Sequence, residues 1–196
     1  MIGISSKKLR AATLGAGIAA AFGLAAVTIA PASGENSRVG VPGSATITMT
    51  EDNQRPVFEG SPTVQTGERL TILNETSPSS HGPHFFSLTK PSLVPDTNSE
   101  IKACFRAERG SVCRKVFKAH EVDFEKQKIG KRVVDSGETG WDRVFNEQRK
   151  GDSWFSDEQG SDYSAKVKFS SGRTLSYFCA FHPDTMRGEI TVVGAP

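Results

Sequence analysis

Short stretches in which apolar side chains recur at every second position are the most regular feature of this chain. The clearest lie at residues 45–51, 70–74 and 163–169. Such alternation sends successive side chains to opposite faces and therefore predicts half-buried β-strands. Further short strands are predicted at residues 57–59, in the first half of 62–74, and at 85–89, 174–178 and 189–193.

The predicted strands are short, and Gly- or Pro-containing turns separate them. No strong amphipathic helix is predicted beside them, so the pattern indicates an all-β protein built as an antiparallel β-sandwich. A chain of 196 residues is long enough for one domain with a full core. We place this domain at residues 43–196, with an insertion at about 90–162.

The N-terminal region has the pattern of an export signal. Basic residues within positions 7–10 precede an uncharged Ala- and Gly-rich stretch at 11–29, and the Ala-Pro-Ala at 30–32 matches a small-x-small cleavage site. We therefore predict a signal peptide at 1–32 and a flexible leader at 33–42. The alternative is a retained membrane anchor. Either interpretation places the domain outside the cytoplasm, in the periplasm, outside the cell or on the outer face of the membrane.

Charge gives little indication of a partner. The chain has 24 Lys and Arg against 22 Asp and Glu, for a formal net charge of +2. A near-neutral chain whose basic clusters alternate with acids gives no indication of nucleic-acid binding.

Three metal-ligating side chains lie within eight residues of one another between the last two predicted strands. They are Cys179, His182 and Met186. A thiolate, an imidazole and a thioether together form a soft ligand set that suits copper. The alternative is that Cys179 is a small buried hydrophobic residue and Met186 fills the core. A blue-copper site would also need a second histidine from another part of the chain.

The pattern Tyr-x-Cys-x-x-His-x-x-x-Met-x-Gly-x-Ile-x-Val at residues 177–192 resembles the C-terminal copper loop of the cupredoxins, the family of plastocyanin, azurin, amicyanin and pseudoazurin. Residues 70–88 resemble that family's strand, Asn, polar loop, Pro-His and next strand. The resemblance covers roughly residues 40–90 and 160–196 but not the middle of the chain.

The resemblance implies a Greek-key sandwich that binds one type 1 copper ion through His84, Cys179, His182 and Met186. His84 is favoured over His81 because Pro83 precedes it and an apolar strand follows it. His81 is then expected to be an exposed loop residue. Phe85 departs from the pattern, since many cupredoxins have a polar residue after this histidine, often Asn.

The other two cysteines lie in the insertion. An exported protein with three cysteines has one left over, and the proximity of Cys104 to Cys113 in the sequence predicts a disulfide that leaves Cys179 free for a metal. We interpret the insertion as an ordered, partly helical covering layer over one sheet edge. The alternative is a lid or docking surface beside the copper. Residues 121–128 are compatible with a short helix or a strand, and His120 is interpreted as a surface histidine.

The resemblance implies an exported one-electron carrier rather than an enzyme. It would act as a monomer with redox partner proteins, and it would meet a membrane only through a retained N-terminal anchor. Only four histidines are present, too few for the trinuclear cluster of a multicopper oxidase. The alternatives are a copper storage, delivery or sensing protein, or an interaction module with this fold and no copper.

Overall fold

The computed structural model describes residues 44–60 and 63–194 of the chain. The predicted signal at 1–32 and leader at 33–42 lie outside the described residues. Within the described part, no helix is both long enough and apolar enough to cross a membrane.

The described residues form two β-sheets and three short helices. The strands, in chain order, are β1 (Ser44–Asp52), β2 (Arg55–Gly60), β3 (Thr63–Gln65), β4 (Arg69–Asn74), β5 (His84–Thr89), β6 (Val133–Val134), β7 (Ser153–Ser156), β8 (Asp162–Lys166), β9 (Arg173–Phe178) and β10 (Arg187–Val193). The helices are α1 (Pro78–His81), α2 (Asn98–Phe105) and α3 (Val112–Ala119), and a 3₁₀ turn spans Pro91–Leu93. Each strand predicted from the alternation is present.

The smaller sheet has four strands in the order β2-β1-β4-β8. Its alternating sequences bury one face, because Ile47 and Met49 of β1 and Leu70 and Ile72 of β4 have no exposed surface. β1 runs parallel to β4, with Ile47 opposite Ile72, whereas its pairing with β2 is antiparallel. Fully burying each of these aliphatic side chains contributes about 1.5–3 kcal/mol to the stability of the fold.

The larger sheet has six strands in the order β3-β10-β9-β5-β7-β6. Its pairings are antiparallel except for the parallel pair β3–β10. Both sheets are therefore mixed, whereas the alternation predicted an antiparallel sandwich. The difference arises because alternation determines which face of a strand is buried but not the direction of its neighbour.

Strand β5 is buried on both of its faces. Phe86 points between the sheets, where its ring packs on Trp141 and Tyr177 at centroid distances of 5.3 and 4.9 Å. The neighbouring Phe85 points the opposite way, toward Phe117 of α3 at 5.9 Å. The segment that contains α2 and α3 (residues 98–132, the helical segment) therefore covers the outer face of the larger sheet, which explains why every residue of β5 is buried.

The predicted insertion at 90–162 is partly helical, and it also supplies two strands. Thr97 caps α2 through a capping box with Glu100, and Ser111 caps α3. β7 pairs with β5, and β6 pairs with β7 at the edge of the sheet. Residues 121–128 form neither a helix nor a strand; they are a turn closed by a bridge between Asp123 and Lys128.

A disulfide joins Cys104 at the end of α2 to Cys113 at the start of α3. Their Cα atoms are 5.1 Å apart, within the range that a disulfide requires. Cys179 is buried and unpaired. The bond therefore holds α2 against α3 in addition to the short loop that joins the two helices.

We predict that denatured, metal-free protein has one reactive thiol. Replacing both Cys104 and Cys113 with Ser should lower the free energy of unfolding by about 2–3 kcal/mol, because the bond closes a short loop in the unfolded chain. Thiol titration and denaturant unfolding of the wild type and the double variant measure both effects. Three reactive thiols, or a peptide map joining Cys179 to either partner, would contradict the prediction.

His120 is buried, so its interpretation as a surface histidine was wrong. The residue has no exposed surface, Nδ1 lies 2.6 Å from the Lys131 carbonyl oxygen, and Nε2 lies 2.8 Å from Ser153 Oγ. The carbonyl only accepts, so Nδ1–H donates to it and Nε2 accepts from the hydroxyl. Its position four residues after Val116, on the apolar face of α3, was the sequence signal that could have identified it.

The hydrogen bonds of His120 join the insertion to the larger sheet. Ser153 of β7 is also 2.7 Å from Ser87 Oγ of β5, and the His120 ring packs on Phe85 at 4.7 Å. Burial lowers the pKa of His120 from 6.5 to about 4, although its hydrogen bond to the Lys131 carbonyl acts in the opposite direction. The imidazole is therefore neutral at pH 7.

We predict that the stabilisation by His120 is lost in acid. Because its folded pKa lies below its unfolded value, the contribution is complete above pH 6.5 and falls as the pH drops toward 4. A shift from 6.5 to about 4 corresponds to about 3 kcal/mol. The difference in unfolding free energy between metal-free wild type and His120→Gln should therefore shrink by about this amount between pH 7 and pH 4.

The comparison with His120→Gln separates this effect from other titrating groups, which are shared by both proteins. Asp152 is one such group, since burial raises its pKa to about 6 and gives its contribution the opposite pH dependence. A stability difference that stays constant from pH 7 to pH 4 would show that His120 does not titrate as described.

Candidate metal centre

Two segments far apart in the sequence bring three metal-ligating side chains together. His84 is the first residue of β5, Cys179 follows the last residue of β9, and His182 lies in the loop before β10. One ligand atom from each lies within 4.8 Å of the other two. β5 and β9 pair antiparallel with Ser87 opposite Phe178, so the start of β5 and the end of β9 lie at the same end of the larger sheet.

The loop from Cys179 to Met186 is closed by its own backbone hydrogen bonds. The Cys179 N–H donates to the Met186 carbonyl at 2.8 Å, and the Met186 N–H donates to the His182 carbonyl at 2.9 Å. Met186 has no exposed surface. The fourth predicted ligand therefore lies in the same closed loop as two of the others.

Gly188 of the sequence motif is required by close packing. A Cβ at this position would collide with the ring of Tyr177 on the neighbouring strand. The two residues face each other in the pairing of β9 with β10. Glycine therefore allows these strands to approach directly beside the loop.

The spacing of the donors fits one metal ion. Cys179 Sγ lies 3.7 Å from His182 Nδ1, and the rings of His84 and His182 have centroids 4.9 Å apart. With metal–sulfur distances of about 2.3 Å, metal–nitrogen distances of about 2.0–2.1 Å and ligand–metal–ligand angles of about 110–120°, sulfur and nitrogen ligands of the same ion are separated by about 3.5–3.8 Å. The orientation also identifies Nδ1 as the His182 nitrogen that faces the thiol.

His84 has an unsatisfied polar side chain. It has no exposed surface, and neither Nδ1 nor Nε2 has a hydrogen-bond partner among the described residues. A buried polar group without a partner costs about 1–3 kcal/mol. A metal ion would satisfy one of these nitrogens, so the residues present fit a bound metal.

Burial keeps the three donors uncharged in the metal-free protein. It lowers the pKa of His84 to about 3, with smaller effects from His182 and His81, and it lowers the pKa of His182. Burial also raises the pKa of the Cys179 thiol to about 11. At neutral pH a metal must therefore displace the thiol proton, whereas both imidazoles are ready to bind.

The backbone of Phe85 contributes to the site, a role that the sequence analysis missed. Its N–H donates to Cys179 Sγ at 3.3 Å. The side chain at this position departs from the cupredoxin pattern to which the sequence is similar. A backbone amide makes this contact whatever the side chain, so Phe85 is compatible with hydrogen bonding to the sulfur.

Asn74 holds the loop that leads to His84. Its Oδ1 accepts hydrogen bonds from the backbone N–H and the hydroxyl of Thr76, at 3.0 and 2.6 Å. Its Nδ2 donates to Ser156 Oγ at 2.7 Å. Because Ser156 pairs with His84 in the larger sheet, Asn74 connects the end of β4 to the strand beside the site.

His81 lies near the cluster but has a different partner. Its Nε2 is 3.0 Å from Glu51 Oε1, and it belongs to α1 rather than to a loop. Its side chain is 12% exposed, so the prediction of an exposed loop residue was wrong. The carboxylate of Glu51 therefore engages one of the two ring nitrogens through which His81 could bind a metal.

A second group of possible ligands, formed by Asp135, Asp142 and Asp152, lies elsewhere in the structure. Asp152 accepts hydrogen bonds from the backbone N–H groups of Ser136, Asp142 and Arg143 at 2.7–2.9 Å. These contacts account for its burial, and the group serves to organise the loops before β7.

Solved structures with a similar fold include several cupredoxins. A purple cupredoxin from Nitrosopumilus maritimus is 14% identical, covering 76% of this chain and 98% of its own, with a TM-score of 0.37. Auracyanin B is 14% identical, with coverages of 78% and 88% and a TM-score of 0.41. Auracyanin A, a blue copper protein from Chloroflexus aurantiacus, is 15% identical, with coverages of 76% and 97% and a TM-score of 0.36.

No protein-family model matches the sequence, and no curated protein matches it. The likenesses to solved structures are low, so the metal assignment depends on the side-chain geometry of this chain. The topology is nevertheless distinctive, since two packed sheets carry Cys179 between the last two strands and His84 at the start of the strand beside them. The described residues therefore form a β-sandwich of two mixed sheets.

Proposed function

We propose that this chain is an exported protein that binds one copper ion and carries one electron between partner proteins. The ligands would be His84, Cys179, His182 and Met186. The observation that carries this proposal is the buried, unpartnered imidazole of His84 beside the Cys179 thiol and the His182 ring. A protein that did not bind a metal would gain stability by replacing this histidine with an apolar residue.

The donor types select copper among the common metals. A thiolate, two imidazoles and a thioether match the His₂Cys set with a weak axial Met of type 1 copper sites. When bound, copper supplies a one-electron couple between its Cu(I) and Cu(II) states. The ligands offer no carboxylate oxygen, which argues against magnesium or calcium.

The residues around the donors favour electron transfer over catalysis on a substrate. His84, Cys179 and Met186 have no exposed surface, so no substrate reaches these three side chains. His182 is partly exposed and is the donor nearest to a partner protein. Strand pairing and loop hydrogen bonds hold the set rigidly, which keeps reorganisation small when the charge of the ion changes.

We predict that the mature protein with Cu(II) is intensely coloured through charge transfer from thiolate to copper. Cys179→Ser should abolish the colour, because a hydroxyl cannot supply this transition. Absorption and EPR spectra of the loaded proteins provide the measurement. The matched control is Cys104→Ser with Cys113→Ser, which removes both other cysteines and should leave the colour intact. Wild type that takes up one Cu(II) per chain and stays colourless would refute the type 1 assignment.

We also predict that the two histidines of the Asn74–His84 region behave differently. His84→Ala should destroy the type 1 spectrum and weaken copper binding by at least tenfold, because it removes one of three strong ligands. His81→Ala should leave the spectrum nearly unchanged, because His81 pairs with Glu51. Copper titrations and EPR of both variants provide the comparison. The reverse outcome would transfer the ligand role to His81.

A further inference from the structure

Two phenylalanine side chains on the helical segment are exposed to an unusual degree. Phe105 and Phe124 are 58% and 56% exposed. They line a cavity of about 240 Å³ together with Ala107, Phe117, Ala180 and Phe181. We call this set of six residues the phenylalanine surface. Apolar side chains that are grouped around a cavity, unlike single scattered ones, mark sites of interaction.

The phenylalanine surface is continuous with the candidate metal centre. The ring of Phe124 packs on Phe117 at 5.1 Å, and Phe117 packs on Phe181 at 5.2 Å. Phe181 lies in the loop between Cys179 and His182. A partner that covered the surface would therefore contact the backbone that carries two of the four proposed ligands.

The helical segment also differs in charge from the rest of the domain. Residues 98–132 carry 10 Lys and Arg against 5 Asp and Glu, a net charge of +5. The other described residues carry 10 Lys and Arg against 16 Asp and Glu, a net charge of −6. Arg106 also lines the cavity, where it is highly exposed and lies 3.4 Å from Glu108, and Lys102 lies one turn earlier on the same face of α2.

We propose that the phenylalanine surface is the docking site for a redox partner protein whose contact face has an apolar centre and an acidic rim. The inference rests on the proposed electron-carrier function and adds to it the chemistry of the partner. Charge complementarity with the +5 segment selects an acidic rim. The apolar centre would bury Phe105 and Phe124, the two large aromatic side chains that are most exposed on this surface.

A second copy of this chain fits the surface less well. A symmetric dimer through this face would bring two +5 segments together, and like charges across an interface oppose association. The partner is therefore a different, acidic protein.

The test uses the ¹⁵N-labelled full chain in its Cu(I) and metal-free forms, with cytochrome b5 as an acidic probe and cytochrome c as a basic one. At low ionic strength, cytochrome b5 should shift the amide signals of Phe105, Phe124 and Phe181, and cytochrome c should not. The combined variant Phe105→Ser with Phe124→Ser should weaken binding by at least tenfold. Lys102→Glu with Arg106→Glu should abolish its salt dependence.

Matched controls lie on other parts of the domain. Val133→Ser changes an exposed apolar residue on the edge strand β6, and Lys166→Glu changes an exposed cation on β8. Neither should alter binding of cytochrome b5. Thermal unfolding of each variant verifies that it is folded. If the combined Phe105 and Phe124 variant unfolds, Phe124→Gln alone replaces it.

Several results would overturn the proposal. One is that cytochrome b5 shifts the amide signals of residues outside the phenylalanine surface, and another is that the Phe105/Phe124 variant binds cytochrome b5 as tightly as the wild type does. A third is that the wild type forms a dimer that the Phe105/Phe124 substitutions dissociate. The last is binding of the protein to phosphatidylglycerol vesicles that depends on the same two residues. Failure of the proposed function gives a different result. A Cu(II)-loaded protein that is colourless but still shows the amide shifts with cytochrome b5 would refute the type 1 copper assignment and leave the docking surface supported. A blue protein that does not show these shifts would refute the docking surface and leave the copper assignment supported.

Discussion

The pairing of β5 with β9 is the contact on which the candidate site depends. It places His84 at the start of one strand beside Cys179 at the end of the other. The two strands lie in the middle of the larger sheet, with β7 and β10 on their outer sides. Because the sheet holds both strand ends, the thiol and the imidazole come together without help from a flexible loop.

The rest of the structure supports this pair of strands from both sides. Phe86 packs between the sheets against Trp141, and Phe85 packs outward against the helical segment. His120 bonds to β7 from that segment. The amide of Phe85 also donates to the Cys179 sulfur, so the residue that packs against the helices also contacts the thiol of the candidate site.

The free energies involved explain why such a site needs this support. The buried imidazole of His84, with two unpartnered nitrogens, is unfavourable in the metal-free protein. It persists because the apolar core around it contributes more stability than it costs. Burial keeps the thiol protonated and the imidazoles neutral, so a metal ion at the proposed site would have to displace the thiol proton.

The sequence by itself determined most of the strands, because alternation of apolar residues reports directly which face of a strand is buried. It also identified the Cys179–Met186 loop and the disulfide between Cys104 and Cys113, since each of these signals lies within a short stretch of the chain. Strand direction, the burial of His120 and the pairing of His81 with Glu51 were decided only by the tertiary structure. Each depends on which distant segment packs against a residue, and a local pattern carries no information about that neighbour.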